Sequence, residues 1–394
     1  MTEKPIPIYT DYDFYVPAFE LKIKGQSLAR DVLRDVISVS YSDSLDKLDS
    51  CEITLNNWDA EQRTFKYSDP QTSPVSLDPG AEIELYMGYY DRGGLALMLR
   101  GQIVSLAPDF PAGGQPTIQL RALNQLYKLH FKQETQVYAD KTDSQIAQAV
   151  LDKIVQDQNS QRSPAGRPGL NLELVTRPAN RLEAPHSYMV INNQYPIVFL
   201  IERARDNGYD IYIEEEAQNG ASTSRLHFHP PDRGVPAVYE LIYGQTLISF
   251  KPTLKTKNQV AKVTVRGWNP VRKEEIVGEA TWDDLDIQGL PSVQDMAAVD
   301  SALAGSEEVV ADEPIESEAE AREKAKAYLT EMARDLVTGS GSTLGLPELR
   351  AGRPVFIRGL GSRFSGRYLV TSSTHAIGDS GYTTQFEARL EELK

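Results

Sequence analysis

The stretch Val36 to Asp59 constrains the fold more than any other part of this 394-residue chain. Val36 to Tyr41 is rich in β-formers, Cys51 to Leu55 alternates apolar with polar residues, and the charged turn SDSLDKLDS joins them. The pattern predicts the two strands of a hairpin, with Ile53 and Leu55 facing inward and Glu52 and Thr54 outward. A strand pair that is apolar on one side needs another layer to cover it, so this hairpin is expected to start a barrel.

The same grammar recurs on either side. Phe14 to Ile23 reads as an opening strand, with a turn at Gly25 and a short strand near Leu28. Tyr67 to Gly80 carries three prolines and reads as a loop. Glu82 to Met87 places Ile83, Leu85 and Met87 on one face, Leu95 to Leu106 predicts two short strands around Gly101, and Thr117 to Ala122 turns Ile118, Leu120 and Ala122 inward. Short strands between Gly and Pro turns predict a first antiparallel β-barrel over residues 1–130.

Residues 131–238 read as an α+β insertion. A helix is predicted over Asp140 to Gln158, with a capping box from Thr142 to Gln145 and Ile146, Ala147, Val150, Leu151, Ile154 and Val155 at helical spacing. Gln156 to Gly169 reads as a loop. Pro196 opens a second helix that turns Val198, Ile201 and Ala204 toward the core and ends at Gly208, followed by strands at Tyr209 to Glu214 and Arg225 to His229.

From Tyr239 the β pattern resumes, with Ala261, Val263 and Val265 inward and Lys262, Thr264 and Arg266 outward. Residues 283–316 are acidic with little periodicity and read as a linker or extended loop. Ser317 to Leu336 is predicted helical, with a Ser317 and Glu320 capping box, a stripe of Ala321, Ala325, Tyr328, Leu329, Met332 and Leu336, and Gly339 beyond its end.

The C-terminal residues repeat the first barrel. Gly352, Val355, Ile357 and Gly359 parallel Gly80, Ile83, Leu85 and Gly88; Gly366, Tyr368 and Val370 parallel Gly101, Ile103 and Leu106. Tyr382, Thr384, Phe386 and Ala388 alternate as Ile118, Leu120 and Ala122 do, with Arg389 and Arg121 as outward arginines. Weighed against chance likeness between two β-meanders, the order of the matches favours duplication. The predicted fold is mainly β, with two similar tube-type antiparallel barrels and the small α+β domain. The second barrel is discontinuous over 239–282 and 340–394, and the helix at 317–338 packs on it.

Composition excludes more than it names. A formal charge of −15 argues against wrapping duplex nucleic acid, where affinity comes from neutralising phosphates. No run of apolar residues is long enough for a membrane span, and the polar start MTEKPIPIYTDYD lacks a signal-peptide core, so synthesis in the cytoplasm is expected. The single cysteine, Cys51, excludes a disulfide framework. His227 and His229 share a strand face but no third ligand accompanies them, which favours packed or exposed histidines over a metal site. Asp43, Asp46 and Asp49 lack the glycine and glutamate of a calcium loop, Asp283, Asp284 and Asp286 beside Trp282 are similar, and the GLG at Gly359 to Gly361 has no P-loop lysine. No GxSxG, HExxH or Cys–His pair appears, though loose carboxylates leave a glycosidase open.

The run SYSDSLDKLDSCEITLNNWD, followed by Phe65, Lys66, Tyr67 and then Pro79, Gly80, Ile83, Leu85, Met87, Gly88 and Tyr89, resembles the phage late control protein D and VgrG-type hubs of contractile tails and injection systems. The C-terminal pattern of that family is met by Gly359, Gly361, Phe364, Ser365, Gly366, Tyr368, Val370, His375, Gly381, Tyr382, Thr384, Phe386 and Arg389, and TDSQIA at Thr142 is also family-like. The resemblance is weakest over 156–190 and 283–316.

It implies a non-enzymatic baseplate hub without cofactor, a homotrimer whose six barrel-like units meet a hexameric inner tube. Its partners would be the inner tube protein, a separate trimeric spike protein, baseplate wedge proteins and small tail proteins, with no membrane span and no sequence-specific nucleic acid binding. Larger family members continue into an oligonucleotide-fold domain and a β-helical needle. This sequence ends at Lys394 without them, which is why the spike is expected to be a separate protein. The positions carried over are Tyr41, Asp43, Asp46, Asp49, Trp58, Gly80, Gly88, Gly101, Gly359, Gly366, Tyr368, His375, Tyr382 and Arg389. The hairpins at Asp43 to Asp49 and Gly88 to Gly101 are expected to touch neighbouring chains, and His375 to make a structural hydrogen bond. Two other classes stay open: a tail-associated peptidoglycan hydrolase, and a carbohydrate-binding β protein with exposed Trp58, Trp268 and Trp282.

Overall fold

Alternation becomes strand along most of the chain. The computed structural model describes residues 5–8, 16–71, 73–90, 94–159, 172–176, 183, 185–218, 221–230, 235–269, 272–285, 303–311, 315 and 317–393. The first part holds β1 (Pro17–Ile23), β2 (Gln26–Ser27), the short helix α1 (Arg30–Asp35), β3 (Val36–Ser44), β4 (Ser50–Asn56), β5 (Trp58–Asp59), β6 (Thr64–Phe65), β7 (Glu82–Tyr89), β8 (Leu95–Asp109) and β9 (Thr117–Asn124). The predicted hairpin is β3 with β4, and Ile53 and Leu55 are fully buried.

β8 is one strand of 15 residues, where two were expected. Gly101 does not end a strand. It pairs with Ile83 of β7 and Asn124 of β9, and a Cβ there would lie 1.9 Å from the Leu123 carbonyl oxygen. Close backbone approach, rather than a turn, is what requires glycine.

The middle holds β10 (Glu134–Tyr138), α2 (Asp143–Asn159), β11 (Glu173–Val175), β12 (Met189–Gln194), α3 (Pro196–Asp206), β13 (Asp210–Gln218) and β14 (Ala221–His229). The capping box forms as predicted: the Thr142 amide donates to Gln145 Oε1 (3.1 Å) and the Gln145 amide to Thr142 Oγ1 (3.3 Å). α3 buries Ile197, Phe199, Leu200 and Ala204, while Val198 and Ile201 are only partly buried. Its inner face is turned from the predicted one and meets residues 125–130, β12 and β13. Most of the loop expected over Gln156 to Gly169 lies outside the described residues.

The remainder holds β15 (Tyr239–Ile242), β16 (Leu247–Leu254), β17 (Lys262–Asn269), β18 (Glu274–Thr281), β19 (Glu307–Val310), α4 (Glu318–Arg334), β20 (Val337–Leu344), β21 (Pro354–Arg358), β22 (Gly366–Gly378) and β23 (Gly381–Leu393). Here three expectations are corrected. β17 and β18, grouped by sequence with the second barrel, form a separate sheet with β19, which lies inside the stretch read as a linker. α4 packs on that sheet: Ala321, Ala325 and Leu329 meet Val263, Val265 and Ile276, and Gly278 lets the helix backbone against β18. Gly339 is inside β20, where a Cβ would strike the Phe250 ring, so it is no helix cap.

A single 13-stranded sheet runs through both halves of the chain, and no barrel closes within it among the described residues. Its first half has the order β3-β4-β9-β8-β7-β1 and its second β16-β20-β23-β22-β21-β15. These are the same order both in space and along the chain, with β17–β19 and α4 inserted where the first half has the turn between β3 and β4. Two of the irregularities repeat as well. The extra residue of a β-bulge is Ile37 in β3 and Ile248 in β16, and Val104 in β8 and Thr371 in β22. Aligned on these bulges, Val370 matches Ile103 and Tyr368 matches Gly101, which corrects the sequence pairing of Val370 with Leu106 and Tyr368 with Ile103; the two glycines, Gly101 and Gly366, stand two residues apart. One pairing differs: β15 is parallel to β21, whereas β1 is antiparallel to β7.

Substituting Gly101 tests the close approach. Gly101→Ala forces a Cβ into the Leu123 carbonyl and is expected to cost on the order of 3 kcal/mol or prevent folding. Gly244→Ala, in open space at φ 78°, is expected to cost about 1 kcal/mol. Thermal melts of the two variants check the difference.

Candidate functional site

The halves of the sheet are joined where β3 pairs with the second part of β22, from Ser44 opposite Ser372 to Val39 opposite Ile377. Four of the signature residues meet at this seam. Tyr41 and His375 stand opposite each other, both buried, with ring centroids 5.9 Å apart. His375 Nε2 donates to the Leu349 carbonyl (3.1 Å), which leaves Nδ1 to accept from the Tyr382 hydroxyl (2.9 Å) and Thr384 Oγ1 (3.1 Å). Burial, helped by the charge of Arg350, pushes the imidazole down to about 3, so it is neutral. Its expected structural hydrogen bond is in fact a set of them.

Asp43 Oδ1 accepts from the Ser373 amide (3.0 Å) and hydroxyl (2.6 Å), across the same seam. Arg350 reaches from the second half to the Leu97 carbonyl of β8 (2.6 Å), and the Tyr89 hydroxyl returns a bond to the Gly345 carbonyl (2.8 Å). Nothing in the sequence pattern pointed to Arg350. Asp49 is buried too, and its carboxyl is pushed up, first by burial and then by the neighbouring Asp43. Of the three acids in the turn expected to face other chains, only Asp46 is exposed. The alternation that buries Tyr41 carries Asp43 inward with it.

The other signature positions scatter. Gly80 and Gly359 hold turns at φ 93° and 84°, while Gly88, Gly101 and Gly366 lie within strands. Tyr368 is buried and donates to the Phe364 carbonyl (2.7 Å). Trp58 packs edge-on against Phe65 and Phe65 against Phe110, Trp282 donates to the Val260 carbonyl, and Trp268 is exposed. Arg389 does not face solvent as predicted: it pairs with buried Asp210 (3.1 Å), tying β23 to β13. Arg121 does lie outside, beside Glu52.

Two adjacent acids anchor the α+β region in opposite ways. Glu214 is held down to about 2, first by its hydrogen bond from His227 and, against burial, by the charge of Arg353 in the turn before β21. Glu215 is pushed up to about 8 by burial. It accepts from the Ser224 hydroxyl (2.6 Å), which in turn accepts from Gln125 (2.7 Å). His227 and His229 are buried against each other, Nδ1 to Nε2 at 3.1 Å, with Tyr212 stacked on His227. Among the described residues no three His, Cys, Asp or Glu side chains are placed to hold a metal ion. Burial pushes the Cys51 thiol up to about 12, which leaves it inert. Asp143, down at about 2 although burial opposes it, binds His186 and Arg203 and so fastens α2 to α3. Asp284 caps the turn after β18 and pairs with Arg322. These arrangements hold elements together; none aligns a nucleophile with a base.

A family model described as the Alg8 N-terminal domain matches residues 15–165 and 183–379. The chain belongs to that family. No curated protein matches it. Among solved structures, this Alg8 N-terminal domain chain is similar to the 43 kDa tail protein of prophage MuSo2 from Shewanella oneidensis, with TM-score 0.64 and 11% identity over 96% of this chain and 100% of that one. It is also similar to a tail protein of Neisseria meningitidis (0.64, 11%, 95% and 97%) and to an Escherichia coli type VI secretion component (0.54, 12%, 93% and 76%). At these identities the likeness is one of fold. The Alg8 N-terminal domain chain thus has the mainly β architecture found in tail proteins, and none of its described helices is long and apolar enough to cross a membrane.

Glu215 provides a pH test. Its folded value of about 8 lies above its ordinary 4.5, so the folded state binds the proton more tightly. The resulting stabilisation is complete below about 4.5 and is lost as pH rises through about 8, at about 1.4 kcal/mol per unit within that window. Glu215→Gln is expected to remove this slope, so that melts of the variant overtake the wild type by pH 8.5.

Proposed function

We propose that this chain is the structural hub of a contractile injection machine, of the late control protein D and VgrG kind: a homotrimer that joins a hexameric inner tube to a trimeric spike. The repeated strand order, down to the bulges at Ile37 and Ile248 and at Val104 and Thr371, carries this reading. A C3 ring of chains with two alike strand sets each presents six near-equivalent units on one face and three-fold symmetry everywhere else. Such a ring matches a six-membered tube above and a three-membered spike below. The fold likeness to prophage tail proteins and to a type VI secretion component supports it.

In this reading each strand set is a tube-type module whose sheet is completed by its neighbours in the ring. The inner tube protein sits on one face and a separate spike protein on the other, with wedge and small tail proteins at the rim of a phage-tail, tailocin or injection-system baseplate. The work is mechanical, not catalytic. The seam, with its satisfied polar contacts, keeps the two modules of a chain from shearing apart when the sheath contracts.

Light scattering on the purified protein is expected to give a mass three times that of the chain. A monomer at every concentration tried contradicts the proposal.

A further inference from the structure

We infer that β16 of one copy lies along the end of β8 in the next, and that this joint is the between-chain counterpart of the β3–β22 seam. The inference rests on the trimeric hub reading and identifies its interface. Aligned on the shared bulges, β16 stands where β3 stands, and Ser105 to Asp109 of β8 stand where Ser372 to Ala376 of β22 stand. Within the chain the second member of each pair is missing its mate. β3 is paired with β22, but among the described residues β16 beyond Leu247 pairs only with β20, and β8 beyond Ile103 only with β9. One edge of each kind is therefore left over, the condition for a heterologous contact that closes into a ring.

The register follows from the seam. Ser40 opposite Ala376 becomes Lys251 opposite Asp109, two exposed residues of opposite charge. Asp43 opposite Ser373 becomes Leu254 opposite Leu106, an apolar pair in place of a hydrogen-bonded one. Tyr41 opposite His375 becomes Pro252 opposite Pro108. Proline has no amide hydrogen to give to a ladder, so the joint between copies is weaker than the seam within one, and each edge resists pairing with stray strands before assembly.

The remaining pair supplies the experiment. Ser42 opposite Thr374 becomes Thr253 opposite Ala107, and the Ser42 and Thr374 hydroxyl oxygens lie 3.1 Å apart, which puts the equivalent β-carbons within disulfide reach. The A107C/T253C double variant is expected to give covalent species of two and three chains and none larger on a non-reducing gel, absent from either single variant; natural Cys51 is buried and does not interfere. A protein that scatters as a trimer yet forms no such bond overturns the joint while leaving the hub reading in place. A monomer overturns both. As a second arm, K251E is expected to lower the trimer fraction at least fivefold at low salt and D109K in the same chain to restore it; a K251E protein that stays fully trimeric counts against the joint.

Discussion

The pairing of β3 with β22 is the contact on which the rest of the structure depends. It turns two strand sets, each with its own core, into a single sheet. There are two cores, one around Ile53, Leu85 and Ile118 and the other around Val355, Tyr368 and Phe386, and they meet where Tyr382, Ile377 and Leu344 of the second half pack against the first. Beside that apolar contact the join has a backbone ladder and polar groups that are all supplied locally. His375 is kept neutral by burial and so can sit at the centre without a counter-charge, donating once and accepting twice. Leaving any of those groups unmatched costs about 1–3 kcal/mol, which makes the arrangement specific as well as stable.

Around that seam the other charged contacts act as ties between regions. Arg350 reaches β8, Arg389 holds Asp210, and Arg353 holds Glu214. The first joins the C-terminal strands to the first strand set, and the other two join them to β13. The α+β region is thereby fastened to the sheet by ion pairs from β23 and from the turn before β21, and by the buried Glu215 near β8, while the small sheet of β17 to β19 packs on its own helix.

Much of this was legible in the residues. Alternation located the β3–β4 hairpin, β7 and β9; capping boxes located α2 and α4; and the spacing of Gly352, Val355 and Ile357 revealed the second strand set, while Tyr368 and Val370 were read out of register. Periodicity reports which face of a strand is apolar but not which strand lies beside it, and that is where the reading failed. β17 and β18 alternate as well as any barrel strand, yet Gly278 and Gly267, which admit Ala321 and Ile315, commit them to another layer. β19 was hidden by its glutamates, since one of its faces binds Lys262 and Thr264 rather than a core. Arg350, Glu215 and Asp210 gave no signal because a charge that is buried against a distant partner looks, in a sequence, like any surface charge.

Under the hub proposal, the repeated strand order is what would let one chain serve two symmetries. Duplication gives two alike edges and two alike landing strands; the seam uses one of each and leaves one of each. If the seam were soft, the two halves would swing independently and no fixed ring could follow. Native-state hydrogen exchange across increasing denaturant measures this directly. The amides of β3 and β22 are predicted to exchange only with global unfolding, at the same free energy as those of β9 and β23. Exchange of the β3 and β22 amides at a lower free energy, with each strand set still protected, would contradict the account.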